Sequence, residues 1–141
     1  MRSILVTNAK GGCGKSTIAT NLAAYFASEG FITTLADYDP QQSALSWLEE
    51  RPDDYYEITG VAGFDDGLRH VPRNTEFLVI DAPARSHGKE LTELVRRAES
   101  VIVPVLPSPI DIKAAEKFVD ELMKVHKVAD RKARVAVVAN R

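Results

Sequence analysis

Eight consecutive residues, Lys10-Gly11-Gly12-Cys13-Gly14-Lys15-Ser16-Thr17, bring together three glycines, two lysines and two hydroxyls. Glycine at 11, 12 and 14 allows positive φ and close backbone approach, so successive N–H groups and a following helix N-terminus can converge on one polyphosphate. In such a loop Lys15 bridges β- and γ-phosphate oxygens, Ser16 offers its hydroxyl to Mg²⁺, and Thr17 reaches the α-phosphate. A merely tight strand-to-helix turn would need one or two of the glycines, but no lysine followed by two hydroxyls.

A metal-bound triphosphate also needs oxygen ligands and a group that orients water for in-line attack. Asp37-Tyr38-Asp39-Pro40-Gln41 offers two carboxylates after a predicted strand, at the edge where open α/β sheets bind ligands. The same aspartates also suit a turn and a helix cap before Gln42. The run Phe77 to Asp81 (FLVID) delivers a single carboxylate at the end of an apolar strand, the Walker B arrangement that holds Mg²⁺. Asn140 ends the last apolar run, where an ordinary turn residue would also stand.

The elements that must position these groups alternate from end to end. Strands are predicted at Ser3 to Thr7, Phe31 to Ala36, Tyr55 to Thr59, Phe77 to Ile80, Val101 to Val105 and Val135 to Ala139. Helices are predicted at Thr17 to Ser28, with Ile18, Leu22, Tyr25 and Phe26 inward, at Gln42 to Glu50, and at about Lys89 to Ala98. One further helical turn is expected near Asp65 to His70. Ser108, Pro109 and Asp111 stand at N-cap, N1 and N3 of a last helix reaching about Val125, with Ala114, Phe118 and Leu122 along its stripe. The runs around Val79 and Val103 do not alternate, as expected of strands buried on both faces. The expected architecture is one α/β domain over residues 1–141, an open, mainly parallel sheet with helices on both faces.

The chain has 141 residues, 45% hydrophobic and 27% charged, which fits a compact domain and excludes disorder. No apolar run approaches the ~18 residues that span a bilayer, and the start has no signal-peptide pattern, so a cytoplasmic location is expected. The one cysteine, Cys13, can form no internal disulfide. Net charge is −2, but residues 1–70 carry 5 basic and 10 acidic side chains whereas residues 71–141 carry 13 and 10. Any polyanion contact belongs in the second half.

The usual phosphate loop has glycine where this chain has Ala9, and Lys10 follows it. The string K-G-G-x-G-K-S-T resembles the deviant Walker A motif of the ParA/MinD family of P-loop ATPases. That resemblance implies a P-loop NTPase fold, ATP and Mg²⁺ as ligands, and a nucleotide-sandwich homodimer in which Lys10 reaches the partner's phosphates. It further implies that Asp39 positions the attacking water, that Asp37 and Asp81 support the metal shell with Ser16, and that Asn140 contacts adenine. Leu106-Pro107-Ser108-Pro109-Ile110-Asp111 is similar to a segment of small plasmid-partition ATPases.

By the same resemblance the function is partition or positioning of a plasmid, chromosome or other cargo. The dimer would bind DNA without sequence preference and associate with the nucleoid, and a ParB-like or cargo-adaptor protein would stimulate ATP hydrolysis. Relatives generally run on for another strand and several helices, so a C-terminal part beyond Arg141 is expected. A membrane-associated positioning ATPase of the MinD kind is the alternative, and would need a C-terminal amphipathic helix that these residues do not offer. A metabolic P-loop enzyme is a third reading, for which no second substrate constellation is found.

Overall fold

Strands that read as unbroken apolar runs lie in the middle of the sheet, where both faces must be covered. In the computed structural model, which describes residues 1–8, 14–82, 89–125, 130 and 133–140, six parallel strands form one sheet. They are β1 (Arg2–Val6), β2 (Thr33–Asp37), β3 (Ile58–Ala62), β4 (Phe77–Asp81), β5 (Ser100–Val105) and β6 (Arg134–Ala139), in the order β3-β2-β4-β1-β5-β6. The helices are α1 (Lys15–Ser28), α2 (Ser43–Glu49), the single turn α3 (Gly63–Asp66), α4 (Lys89–Arg97) and α5 (Pro109–Met123).

Strand alternation sends successive side chains to opposite cores. Leu5, Ala36, Leu78 and Ile80 pack with Leu94 and Val95 of α4 and Phe118 and Leu122 of α5. Val6, Leu35 and Val79 pack with Ala19 and Ala23 of α1 and Ala44 of α2. The chain therefore leaves β1 toward one face and β4, its neighbour, toward the other. A crevice opens at their carboxyl ends, the place where doubly wound sheets take ligands.

Pro104 fixes where β1 departs. The β1–β5 ladder ends at Val6 opposite Ile102, after which the Thr7 N–H still donates to the Ile102 carbonyl at 3.0 Å. Two residues on, proline has no N–H to offer β1, and its carbonyl instead accepts the buried Asn8 Nδ2 at 2.5 Å. A side chain thus replaces the next rung and releases the backbone into the loop.

Most predicted elements stand, and the departures have local causes. The third strand starts at Ile58 instead of Tyr55 because the tyrosines are held in the preceding loop. Arg51 lies 5.3 Å from the Trp47 ring and 5.2 Å from the Tyr55 ring, and its Nη2 donates to the Tyr56 carbonyl at 3.0 Å. The expected turn at Asp65 to His70 is α3, displaced toward the N-terminus. In α1 the buried seam is Ala19, Ala23 and Ala27, while Tyr25 is 57% exposed. Small residues let that helix approach the sheet, and the larger Ile18, Leu22 and Phe26 flank the contact. In α5 the fully covered alanine is Ala115 in place of Ala114, and Ser108 caps the helix by accepting the Asp111 N–H at 3.2 Å. The last strand lies at the end of the strand order and is largely exposed.

Leu35 is fully buried, on the core that carries α1 and α2. Leu35→Ala should cost about 2–5 kcal/mol, whereas Val137→Ala on the exposed edge should change stability by less than ~0.5 kcal/mol. Urea unfolding of both variants checks the ranking, and equal midpoints would contradict it.

Candidate functional site

The first turn of α1 and the last residue of β4 meet in the crevice. Gly14 has φ +82°, which turns the chain into the helix at a cost only glycine avoids. Lys15 then points inward. Its Nζ lies 2.5 Å from Asp81 Oδ1, and the Ser16 hydroxyl donates to Asp81 Oδ2 at 2.7 Å. Asp81 is fully buried and Lys15 is only 8% exposed, so each ion relies on the other. No acidic residue occurs in the first turn of α1. The carboxylate that complements its positive end arrives instead from β4.

Asp37 sits directly beside Asp81 in the β2–β4 register and is likewise fully buried. Its Oδ1 accepts the Asp39 N–H at 2.9 Å, and its Oδ2 accepts the N–H groups of Ala44 and Leu45 at 3.1 and 3.2 Å. It thereby caps α2 from seven residues upstream, since Gln42 at the cap position contributes no side-chain bond. Burial raises the Asp37 pKa above its ordinary value, the three N–H donors oppose that rise, and the Asp81 carboxylate adds to it. Asp39, half-buried, accepts the Gln41 N–H through Oδ1 at 3.0 Å, so its carboxylate is oriented by the loop that follows.

Asn140 comes from the far end of the chain. Its backbone N–H continues the β5–β6 pairing by donating to the Val105 carbonyl at 2.8 Å. Its side chain rests on Gly14, where a methyl group would lie 1.9 Å from Nδ2. A hydrogen at position 14 is therefore required twice, by the backbone conformation and by this neighbour. Thr17 is exposed at the start of α1.

Of the residues selected from sequence, Lys15, Ser16 and Asp81 are in direct contact. Asp37 and Asp39 adjoin them through β2, and Asn140 closes on Gly14. Lys10, Gly11, Gly12 and Cys13 lie outside the described residues. Sequence reasoning passed over Asn8, whose only signal is its place between the first strand and the glycines.

A serine hydroxyl and a carboxylate are hard oxygen donors, which fit Mg²⁺. Among the described residues no group of three or more His, Cys, Asp or Glu could cage a metal. No helix among the described residues is long and apolar enough to cross a membrane.

The family model of the CobQ/CobB/MinD/ParA nucleotide binding domain matches residues 4–141. Maintenance of carboxysome distribution protein A from Halothiobacillus neapolitanus is 30% identical over 146 residues, covering 98% of this chain and 65% of that protein. This chain thus spans just under two thirds of that relative's length. Cobyrinic acid a,c-diamide synthase from Mycobacterium smegmatis, solved with ADP and magnesium, superposes with a TM-score of 0.76 at 18% identity, over 99% of this chain and 74% of that one. The pNOB8 ParA bound to nonspecific DNA gives a TM-score of 0.69 at 17% identity, over 89% and 60%. These likenesses establish the P-loop NTPase fold.

Because the Asp37 pKa is raised in the folded protein, its protonation favours folding below the ordinary carboxylate range, and that support is lost as pH rises through the raised value. In Mg²⁺-free buffer, wild-type stability relative to Asp37→Asn should fall as the pH rises above about 4, the ordinary carboxylate value. Urea titrations across that range measure it, and a difference that grows with pH would contradict the assignment.

Proposed function

Since the chain belongs to the CobQ/CobB/MinD/ParA family of nucleotide-binding domains, we propose that it is an ATPase which positions a cargo on DNA. The observation that carries this reading is the joint engagement of Lys15 and Ser16 with the buried Asp81, at the start of α1 and in the crevice between β1 and β4. Lys15 and Ser16 spend their donors internally here, and both can turn to phosphate and metal oxygens without moving the backbone of α1.

In this reading Lys15 transfers its ammonium from Asp81 to the β- and γ-phosphates. Ser16 and Asp81 would hold Mg²⁺, which would supply positive charge against the negative charge developing on the transferred group. Asp37, pinned by three N–H donors, orders the β2–α2 connection and backs the metal side. Asp39 orients the attacking water. Asn140 borders the nucleotide at Gly14 and takes the adenine edge, and Thr17 reaches the α-phosphate. Lys10 lends its charge to the nucleotide of a second copy, which makes the ATP form a homodimer.

Unaided hydrolysis is slow, because such a switch must persist long enough to be read, and a partner protein accelerates it. The relative that distributes carboxysomes supports a cytoplasmic cargo, plasmids and chromosomes being others of the same kind. The ParA solved on nonspecific DNA supports a nucleoid track, with exposed Arg97, Lys113 and Lys117 placed in the more basic half of the chain for phosphate contacts.

Asp39→Ala should leave ATP affinity within about threefold while slowing turnover by roughly a hundredfold. Rapid hydrolysis by that variant would refute the role. Lys15→Ala should weaken ATP binding by more than about tenfold, with thermal melting of the same sample separating loss of the site from loss of the fold. Sedimentation of the intact chain with ATP should show pairs that travel with DNA. A monomer under saturating ATP, or pairs that travel with liposomes instead, would defeat the reading.

A further inference from the structure

Between the two aspartates of the β2–α2 connection stands Tyr38, and strand alternation turns it to the opposite face. Asp37 faces α2, whose N–H groups it accepts, whereas Tyr38 packs against the core built from α4 and α5. Its backbone is held as well, since the Tyr38 N–H donates to the Asp81 carbonyl at 2.9 Å. The ring enters a gap made by two glycines across the sheet edge. A methyl at Gly63 would lie 2.5 Å from a ring carbon, and one at Gly67, where φ is +62°, would lie 3.7 Å from the phenolic oxygen. Beyond the half-buried ring lies a cleft of about 350 Å³, bounded by Leu68, Leu94 and Arg97.

The connection itself carries strain. Gln42 has φ +62°, the one non-glycine residue with positive φ among those described. Backbone strain of this kind persists only where the surroundings hold it from both sides. The Asp37 carboxylate supplies the hold on the α2 side, through the N–H groups of Ala44 and Leu45. At the strand end, the Tyr38 N–H bond to the Asp81 carbonyl fixes where the connection begins.

Resting on the ATPase reading above, we propose that Tyr38 is a positioning residue for hydrolysis. Seated against Gly63 and Gly67, its ring sets the path of the β2–α2 connection and thereby the aim of the Asp39 carboxylate. Tyr38 acts through its neighbours on either side. The ring fills the seat at Gly63, so alanine does not replace it.

The test uses the intact chain, with steady-state hydrolysis and equilibrium ATP binding measured on the same preparations. Tyr38→Ala should lower kcat by about tenfold to a hundredfold with ATP affinity nearly unchanged, and Tyr38→Phe should restore it. Gly63→Ala, which displaces the ring from its other side, should lower kcat too, and the double variant should fall no further than the weaker single one. Amide hydrogen exchange without nucleotide should quicken over residues 39–45 in Tyr38→Ala. Unchanged exchange there, an unchanged kcat, or equal losses in affinity and kcat would overturn the inference. Wild-type protein that binds and hydrolyses no ATP would overturn the ATPase reading and this inference together. Wild-type turnover matched by Tyr38→Ala would overturn this inference alone.

Discussion

A fully buried carboxylate must be met by a cation or by hydrogen-bond donors, and the meeting of Asp81 with Lys15 is the constraint around which this domain is organised. Removing one partner of such a pair strands the other in a poor solvent, at a cost of about 3–5 kcal/mol. The pair also couples two distant stretches of chain. Asp81 must end β4 beside Val6 of β1, and Lys15 must open α1 with its side chain turned back toward the sheet. Every strand in the register contributes to holding those two atoms together.

That arrangement is at once a packing solution and a reserved place. The Ser16 hydroxyl and the Lys15 ammonium each serve one oxygen of Asp81. A polyphosphate with its cation would exchange partners instead of filling an empty cavity. Ligand binding then redistributes existing hydrogen bonds, and the free energy gained is the difference between two well-satisfied states. Pre-formed geometry of this kind keeps the reorganisation small.

Sequence alone made the start of α1, the FLVID strand and the Ser108 cap legible, because each is a local pattern whose physics is complete within a few residues. The Asp37 pair was legible as two options, metal support and capping. The structure displays the cap in full, with acceptors offered to residues seven and eight positions on. What could not be read depends on contacts across the sheet. Tyr55 and Tyr56 have strand-forming side chains, yet the Arg51 guanidinium keeps them in the loop. Tyr25 recurs at helical spacing, but α1 lies so close to the sheet that alanines take the seam. The seat of Tyr38 has no local signal, since the gap it fills is made by residues 25 and 29 positions further along.

The stacking of Arg51 on Trp47 has one more consequence. Trp47 is the sole indole of the chain, and it lies on α2, the helix whose first amides are anchored by Asp37. Its emission is sensitive to the cation alongside, so any rearrangement of the connection that reseats α2 registers as a change in intrinsic fluorescence. The fold thus carries an optical gauge of the β2–α2 connection, readable in real time without an attached dye.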